Sequence, residues 1–219
     1  MHPVLGDFIS RNFYERYNKK EAFSSGRPAS DFVHSLPGTE GRPAMWIDVQ
    51  GDEPAQRDGT SWVRHIEQST ILSVLRKWKN CEEGKGLTFG VISFYKAQTD
   101  AIYNVLKEEF ADDLKGPNPK LRIGTVDSFQ GMEFDVVFLS VVRTPPREGC
   151  RVRHPFGHLV LYNRLNVAMS RQKRLLVVVG DSRLLQIKDA ASIEPEVGIP
   201  GLVDFYRLCA EEGVVQTWH

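Results

Sequence analysis

An α/β fold with a doubly wound, mainly parallel sheet of five or more strands is the class this chain predicts, and three observations carry it. Apolar runs without alternation, such as Val136 to Leu139 and Leu175 to Val179, mark strands covered on both faces. Between them lie segments whose apolar residues recur at helical spacing, so strands and helices alternate along the chain. A length of 219 residues with 41% hydrophobic content suits one good core with room for a small appendage.

Residues 1–43 read as an irregular opening segment. Within it residues 18–43 are rich in Ser, Gly, Pro and charge, as in Phe23-Ser24-Ser25-Gly26-Arg27-Pro28, and form a long surface connection. The domain core follows over 44–186. Ala44 to Gln50 is its first strand, and Asp58-Gly59-Thr60-Ser61 is a turn and cap leading into a helix to about Asn80. Ile71, Val74, Leu75 and Trp78 make the buried stripe of that helix. Leu87 to Ser93 is the next strand. Lys96 to Phe110 is a helix with Ile102, Val105, Leu106 and Phe110 inward, stopped by Lys115-Gly116-Pro117-Asn118-Pro119. Leu121 to Val126, Val136 to Val142 and Arg174 to Gly180 complete the strands. Over 187–219 the expectation is a linker and then a helix, Gly201 to Glu211, packed on the same domain through Leu202, Phe205, Tyr206, Leu208 and Cys209.

Composition narrows the function classes. No apolar run approaches the roughly 20 residues of a membrane helix, so no membrane partner is expected. Asp7 and Arg11 interrupt any secretory signal at the start. Three scattered cysteines suit a reducing compartment, cytoplasmic or nuclear, and His34 and His65 stand alone, so no metal site is expected. Net charge is zero, but Arg143, Arg147, Arg151, Arg153, Arg164, Arg171, Lys173 and Arg174 face only Glu148 in their stretch, with His154 and His158 alongside. Such a strip tracks a phosphate backbone. The alternative is a solvated loop whose arginines pair with acids such as Glu82-Glu83 or Asp112-Asp113.

The stretch with most chemistry is Gly124-Thr125-Val126-Asp127-Ser128-Phe129-Gln130-Gly131-Met132-Glu133-Phe134-Asp135, followed by Leu165-Asn166-Val167-Ala168-Met169-Ser170-Arg171. A strand delivers small hydrogen-bonding groups to its carboxyl end, where ligands sit in open α/β sheets, and a glycine turn lets backbone approach a ligand. A capping box over Asp127 to Gln130 is the structural alternative. The phosphate loop Gly-x-x-x-x-Gly-Lys-Ser/Thr is missing, as are Gly-x-Gly-x-x-Gly and Gly-x-Ser-x-Gly, so neither complete ATP binding nor the common small-molecule chemistries of such sheets are supported.

At these residues the chain resembles the second, C-terminal RecA-like domain of superfamily 1B helicases, the group of the nonsense-mediated-decay helicase and senataxin. Thr125 to Asp135 is similar to that family's motif V, and Arg164 to Arg171 to its motif VI. Val91 to Gln98 is similar to its Pro-Tyr-x-x-Gln motif with Phe94 in the proline's place. Met1-His2-Pro3, with Phe8 and Phe13-Tyr14 behind, is similar to the end of its Gln-Tyr-Arg-Met-His-Pro motif. The four stand in the family's order across residues 1 to about 186.

The resemblance implies a P-loop NTPase-type fold without the P-loop, half of an ATP-driven motor on single-stranded DNA or RNA. An N-terminal RecA-like domain of the same parent protein would hold ATP and Mg²⁺, and Met1 would be an internal methionine. Arg171 is implied as the arginine finger, catalytic through its charge on the γ-phosphate. Gln130, Gly131, Glu133 and Arg164 are implied on the nucleotide side, Glu133 toward the ribose. Arg164 either orients the finger or bridges to motif V. Ser93, Tyr95, Thr125, Asp127, Ser128 and Arg143 are the expected track for the strand. The chain departs from the family most over Thr144 to Gly157. A non-catalytic nucleic-acid-binding or partner module on the same fold is the competing reading.

Overall fold

In the computed structural model, all residues are described except Asp52, Glu148, Cys150, Arg151 and His219. The expected cation Arg151, its neighbour Glu148 and Cys150 therefore lie outside the described residues. The organising element is a six-stranded sheet in the order β5-β4-β6-β7-β1-β8, with every neighbouring pair parallel. Its strands are β1 (Ala44–Asp48), β4 (Phe89–Ser93), β5 (Leu121–Thr125), β6 (Phe134–Ser140), β7 (Gln172–Gly180) and β8 (Val214–Thr217). β1 and β4 are buried at every position, as apolar runs without alternation require.

Two apolar layers cover the sheet. On one face α2 (His65–Lys79), followed by the short α3 (Glu82–Gly86), and α4 (Lys96–Leu106) pack Ile71, Leu75, Trp78, Ile102 and Leu106 against Val91, Val136, Phe138 and Val177. On the other, α1 (Pro3–Ile9), α5 (Tyr162–Met169) and α6 (Pro200–Glu212) pack Leu5, Phe8, Leu165 and Phe205 with Trp46, Val137 and Val178. This is the doubly wound α/β arrangement, and the strand and helix sequence matches expectation over most of 44–186.

Four local readings are corrected. The opening segment is irregular only beyond residue 15: α1 begins with proline at its first turn and continues as a π-helix over Ser10–Glu15, buried through Phe8, Ile9 and Phe13. Asn12 donates its side-chain amide to the Phe8 carbonyl at 3.0 Å, an acceptor the next helical turn would otherwise use. The Asp58 turn closes a hairpin of β2 (Gln56–Asp58) and β3 (Ser61–Val63) rather than capping α2. Glu53 caps that helix instead, accepting from His65 N at 2.7 Å and Ile66 N at 3.1 Å. The tail adds a strand, β8, beside β1, which apolar patterning missed because its residues are largely exposed. Val105 sits on the outer side of α4, 41% exposed, and the helix stops at Leu106.

Parallel pairing has a consequence for the polar stretch 126–133. β5 ends at the carboxyl rim and β6 starts at the amino edge, so these eight residues must travel back along five paired positions, about 16 Å of sheet. They do so over the face that α5 also covers, with Val126 and Phe129 as their buried anchors. Gly90 in β4 makes room: a Cβ there would lie 2.8 Å from the Phe129 ring and 3.1 Å from the Phe134 ring.

Candidate nucleotide edge and carboxyl rim

The two motif segments run side by side from rim to edge and are tied at both ends. At the carboxyl end Arg164 Nη2 donates to Asp127 Oδ2 at 2.7 Å. At the amino end Phe134 N donates to the Arg171 carbonyl at 2.9 Å, and Arg171 Nη1 reaches the Met132 carbonyl at 3.5 Å. Of the two roles left open for Arg164, the geometry favours the bridge to motif V. The expected single site on the carboxyl rim is thereby divided. Thr125, Asp127 and Ser128 lie at the rim, whereas Gly131, Glu133 and Arg171 lie at the starts of β6 and β7, at the opposite edge.

At the amino edge the guanidinium of Arg171 is half-buried and held by neutral acceptors alone. Nε donates to the Val167 carbonyl at 3.1 Å and Nη2 to Ser170 Oγ at 2.8 Å. Among the described residues no carboxylate lies within ion-pair distance of it, whereas Arg164 and Arg174 each have one and Arg64 has two. α5 ends at Met169, so Arg171 stands just beyond the helix. Gln130, Gly131 and Glu133 are exposed beside it, and Gly131 takes a φ of +78°, the left-handed region. Residues 1 and 2 border the same edge: His2 N donates to the Lys173 carbonyl at 2.7 Å, and Met1 lies against Gln172. The Gln172 side chain is buried with its Oε1 unpaired. Nearby, burial tends to raise the Asp135 carboxyl, but hydrogen bonds from Thr88 and Arg174 outweigh it and hold the group below its ordinary value.

The carboxyl rim is built from buried charge that sequence reading did not single out. Arg64, Glu67, Gln98 and Ser140 are all fully buried. Arg64 lies 3.4 Å from Glu67 and 3.7 Å from Asp181, and donates to the Val49 carbonyl at 2.6 Å. Gln98 accepts from Arg64 N and donates to Ser140 Oγ, which donates to Glu67 at 2.6 Å. Burial pushes the Glu67 carboxyl up, against the opposing pull of Arg64 and the hydrogen bonds from Ser140 and Val142. Both Glu67 oxygens accept from Val142 N at 3.0 Å. Val142 is β-branched yet has a φ of +67°, a strained state that persists where surroundings enforce it. A signal for this network was present in the sequence: Arg64 and Glu67 extend the inward stripe of Ile71, Val74 and Trp78 at helical spacing.

Three expected strand contacts are withdrawn from the surface. Ser93 is fully buried and donates to the Ser140 carbonyl at 3.1 Å. Tyr95 is buried, and its hydroxyl accepts from His158 N at 3.3 Å. Arg143 is buried with Nε on the Pro155 carbonyl at 2.9 Å, Nη2 on the His154 carbonyl at 2.8 Å and its guanidinium 4.5 Å from the Trp62 ring centre. Motif side chains on a strand end point into the crowded space between strand and covering loop, which local sequence does not reveal. Asp127 and Ser128 are exposed, though Asp127 is engaged by Arg164 and the Ser128 hydroxyl donates to the Thr125 carbonyl at 2.7 Å.

The basic strip is likewise not continuous. Arg164 and Arg174 pair with Asp127 and Asp135, Arg143 is buried, and Arg171 and Lys173 sit at the amino edge. The acid pairs named as alternative partners turn elsewhere: Glu83 to Ser35, Glu82 to Lys85, Asp112 to Lys115 and Asp113 to Lys79. Arg147 and Arg153 remain as exposed rim cations.

A family model described as "AAA domain" matches residues 1–183, most of the chain and both motif segments. The chain belongs to that AAA-domain family. Its relatives place it with the C-terminal RecA-like domain of superfamily 1 helicases of the nonsense-mediated-decay and senataxin type. It is similar to a regulator of nonsense transcripts 1 homolog of Neurospora crassa, 31% identical over 187 residues, covering 84% of this chain and 16% of the relative. It is 32% identical over 189 residues to the probable helicase senataxin of Homo sapiens, covering 84% and 6%. It is 36% identical over 196 residues to the DNA polymerase alpha-associated DNA helicase A of Saccharomyces cerevisiae, covering 85% and 27%. This AAA-domain chain thus spans a minor part of each of these relatives. No helix among its described residues is long and apolar enough to cross a membrane.

Proposed function

We propose that this chain is the C-terminal motor domain of an ATP-dependent DNA or RNA helicase, working against a P-loop domain of the same parent protein. The observation that carries the proposal is Arg171: a guanidinium fixed at the amino edge by neutral acceptors, without a carboxylate among the described residues, beside an exposed glycine turn. A positioned cation without a counter-charge is the group that phosphoryl transfer requires for its developing anionic charge. The chain's own residues fit only one flank of a nucleotide. It has no phosphate loop, and no group of three or more metal-ligating side chains among its described residues could hold Mg²⁺. ATP with Mg²⁺ on the partner domain would supply the γ-phosphate that Arg171 meets. Gly131, Gln130 and Glu133 would line the nucleotide's near side, Glu133 accepting from ribose hydroxyls. Arg164 acts through Asp127, holding the motif V and VI segments together. At the other end Thr125, Asp127 and Ser128 would face the single strand. Free thiols at Cys81 and Cys209 suit the reducing cytoplasm or nucleus.

The test is Arg171→Ala in the protein carrying its P-loop domain, with ATP turnover and single-strand affinity measured together. Turnover is expected to fall about 10³-fold or more while strand affinity holds. Unchanged turnover would remove the finger and with it the motor reading.

A further inference from the structure

At the carboxyl rim a cavity of about 550 Å³ opens between two loops that no helicase motif uses. One wall is residues 153–158 with Val160, and the other is Lys188, Asp189, Glu196 and Val197 from the 188–197 loop. The family match stops at residue 183, so the second wall lies beyond it.

Both walls are preformed. Buried Arg143 holds the carbonyls of His154 and Pro155, and the buried Tyr95 hydroxyl takes His158 N. The second wall is knotted by Ile199 N to the Ala190 carbonyl at 2.8 Å, Ser192 N to the Asp189 carbonyl at 3.0 Å and Val197 N to the Glu194 carbonyl at 3.2 Å. Asp189 and Glu196 on this wall adopt φ values of +68° and +60°, left-handed states uncommon outside glycine. Such strain gathers at binding sites.

The lining is mixed in charge. Arg153 and Lys188 stand on opposite walls, exposed and without an ion pair to any described residue. Asp189 and Glu196 add acceptors, and Val160 and Val197 add apolar surface. A bare phosphate would meet two carboxylates, and a cationic peptide would meet Arg153 and Lys188. A nucleotide unit satisfies all three surfaces: its phosphate faces the cations, its base N–H or ribose hydroxyl groups donate to the acids, and its base lies on the apolar wall. The volume falls within the roughly 300–1,000 Å³ of small-ligand pockets.

We propose that this cavity captures one splayed nucleotide of a single strand as it leaves the motif V end of the rim. The proposal rests on the nucleic-acid reading above and assigns Arg143 and Tyr95 as positioning residues for the 153–158 wall. The experiment uses the full-length protein with labelled oligothymidylate and oligouridylate of about 20 nucleotides, longer than the ~4 to 16 nucleotides a small binding fold covers. Arg153→Glu combined with Lys188→Glu should weaken binding by about tenfold or more, and lower the log–log salt slope by about 0.7, the contribution of the one phosphate left without its cations. Photocrosslinking of thio-substituted strands to the wild type should map to 153–158 or 188–197. Wild-type binding with crosslinks confined to Thr125 to Ser128, and a double variant within about twofold of it, overturns the cavity and leaves the helicase reading standing. Failure of the wild type to bind either strand overturns both.

Discussion

The two ends of the sheet handle charge in opposite ways. At the carboxyl rim Arg64, Glu67 and Asp181 are buried together and their hydrogen bonds run through Gln98 and Ser140 to the strained Val142. At the amino edge Arg171 is oriented by neutral oxygens, and no carboxylate among the described residues pairs with it. Burial with mutual pairing makes a scaffold, because removing either partner strands a charge. Orientation without pairing leaves donors ready for an incoming anion, so little reorganisation would be needed to receive one.

The largest effect that sharpens this contrast is on catalysis. Arg171→Ala should reduce ATP turnover by ~10³ to 10⁵, about 4–7 kcal/mol of barrier, whereas Arg174→Ala, whose charge already serves Asp135, should leave steady-state turnover nearly unchanged. Comparable losses in both would erase the distinction between paired and unpaired arginines at that edge. The scaffold side predicts a loss of stability. Glu67→Ala leaves Arg64 buried without its near partner and should lower unfolding free energy by about 3–5 kcal/mol in a denaturant titration. A shift below about 1 kcal/mol would mean that Asp181 alone balances Arg64.

A smaller loss is expected where the motif V segment crosses the sheet. Gly90→Val puts side-chain carbon against Phe129 and should destabilise by about 1–3 kcal/mol. Because Phe129 anchors the segment between the two ends, strand affinity and turnover should both drop in this variant, unlike Arg171→Ala. The smallest effect concerns pH. The Asp135 carboxyl is depressed in the folded state, so its contribution is present above the ordinary aspartate value near ~3.9 and is lost as pH falls through the lower folded value. Asp135→Asn should therefore lower the denaturation midpoint slightly at neutral pH, where that contribution is fully present, and its gap to the wild type should close as pH falls below about 4.

Legibility differed with the kind of information. The strands β4, β6 and β7 and the helices α2 and α4 were readable because a doubly covered strand must be largely apolar and a packed helix must repeat its apolar face. β8 was not, since an edge strand needs hydrogen bonds from its neighbour more than apolar residues of its own. Of the candidate residues, Arg171, Gln130, Gly131 and Glu133 fall together at one edge, while Ser93, Tyr95 and Arg143 fall under loops. Sequence adjacency could not separate them, because a strand end and the loop above it share a neighbourhood only in space.

Local order along the chain was enough to establish an α/β domain of parallel strands and to mark out the two motif segments, since periodicity and residue chemistry are properties of short stretches. Which end of the sheet each motif residue occupies came from parallel pairing, which forces residues 126–133 to cross from rim to edge. Whether an arginine is engaged by a carboxylate or left free for a ligand came from packing between segments far apart in the chain, and that is a matter of distance in space that no spacing of letters encodes.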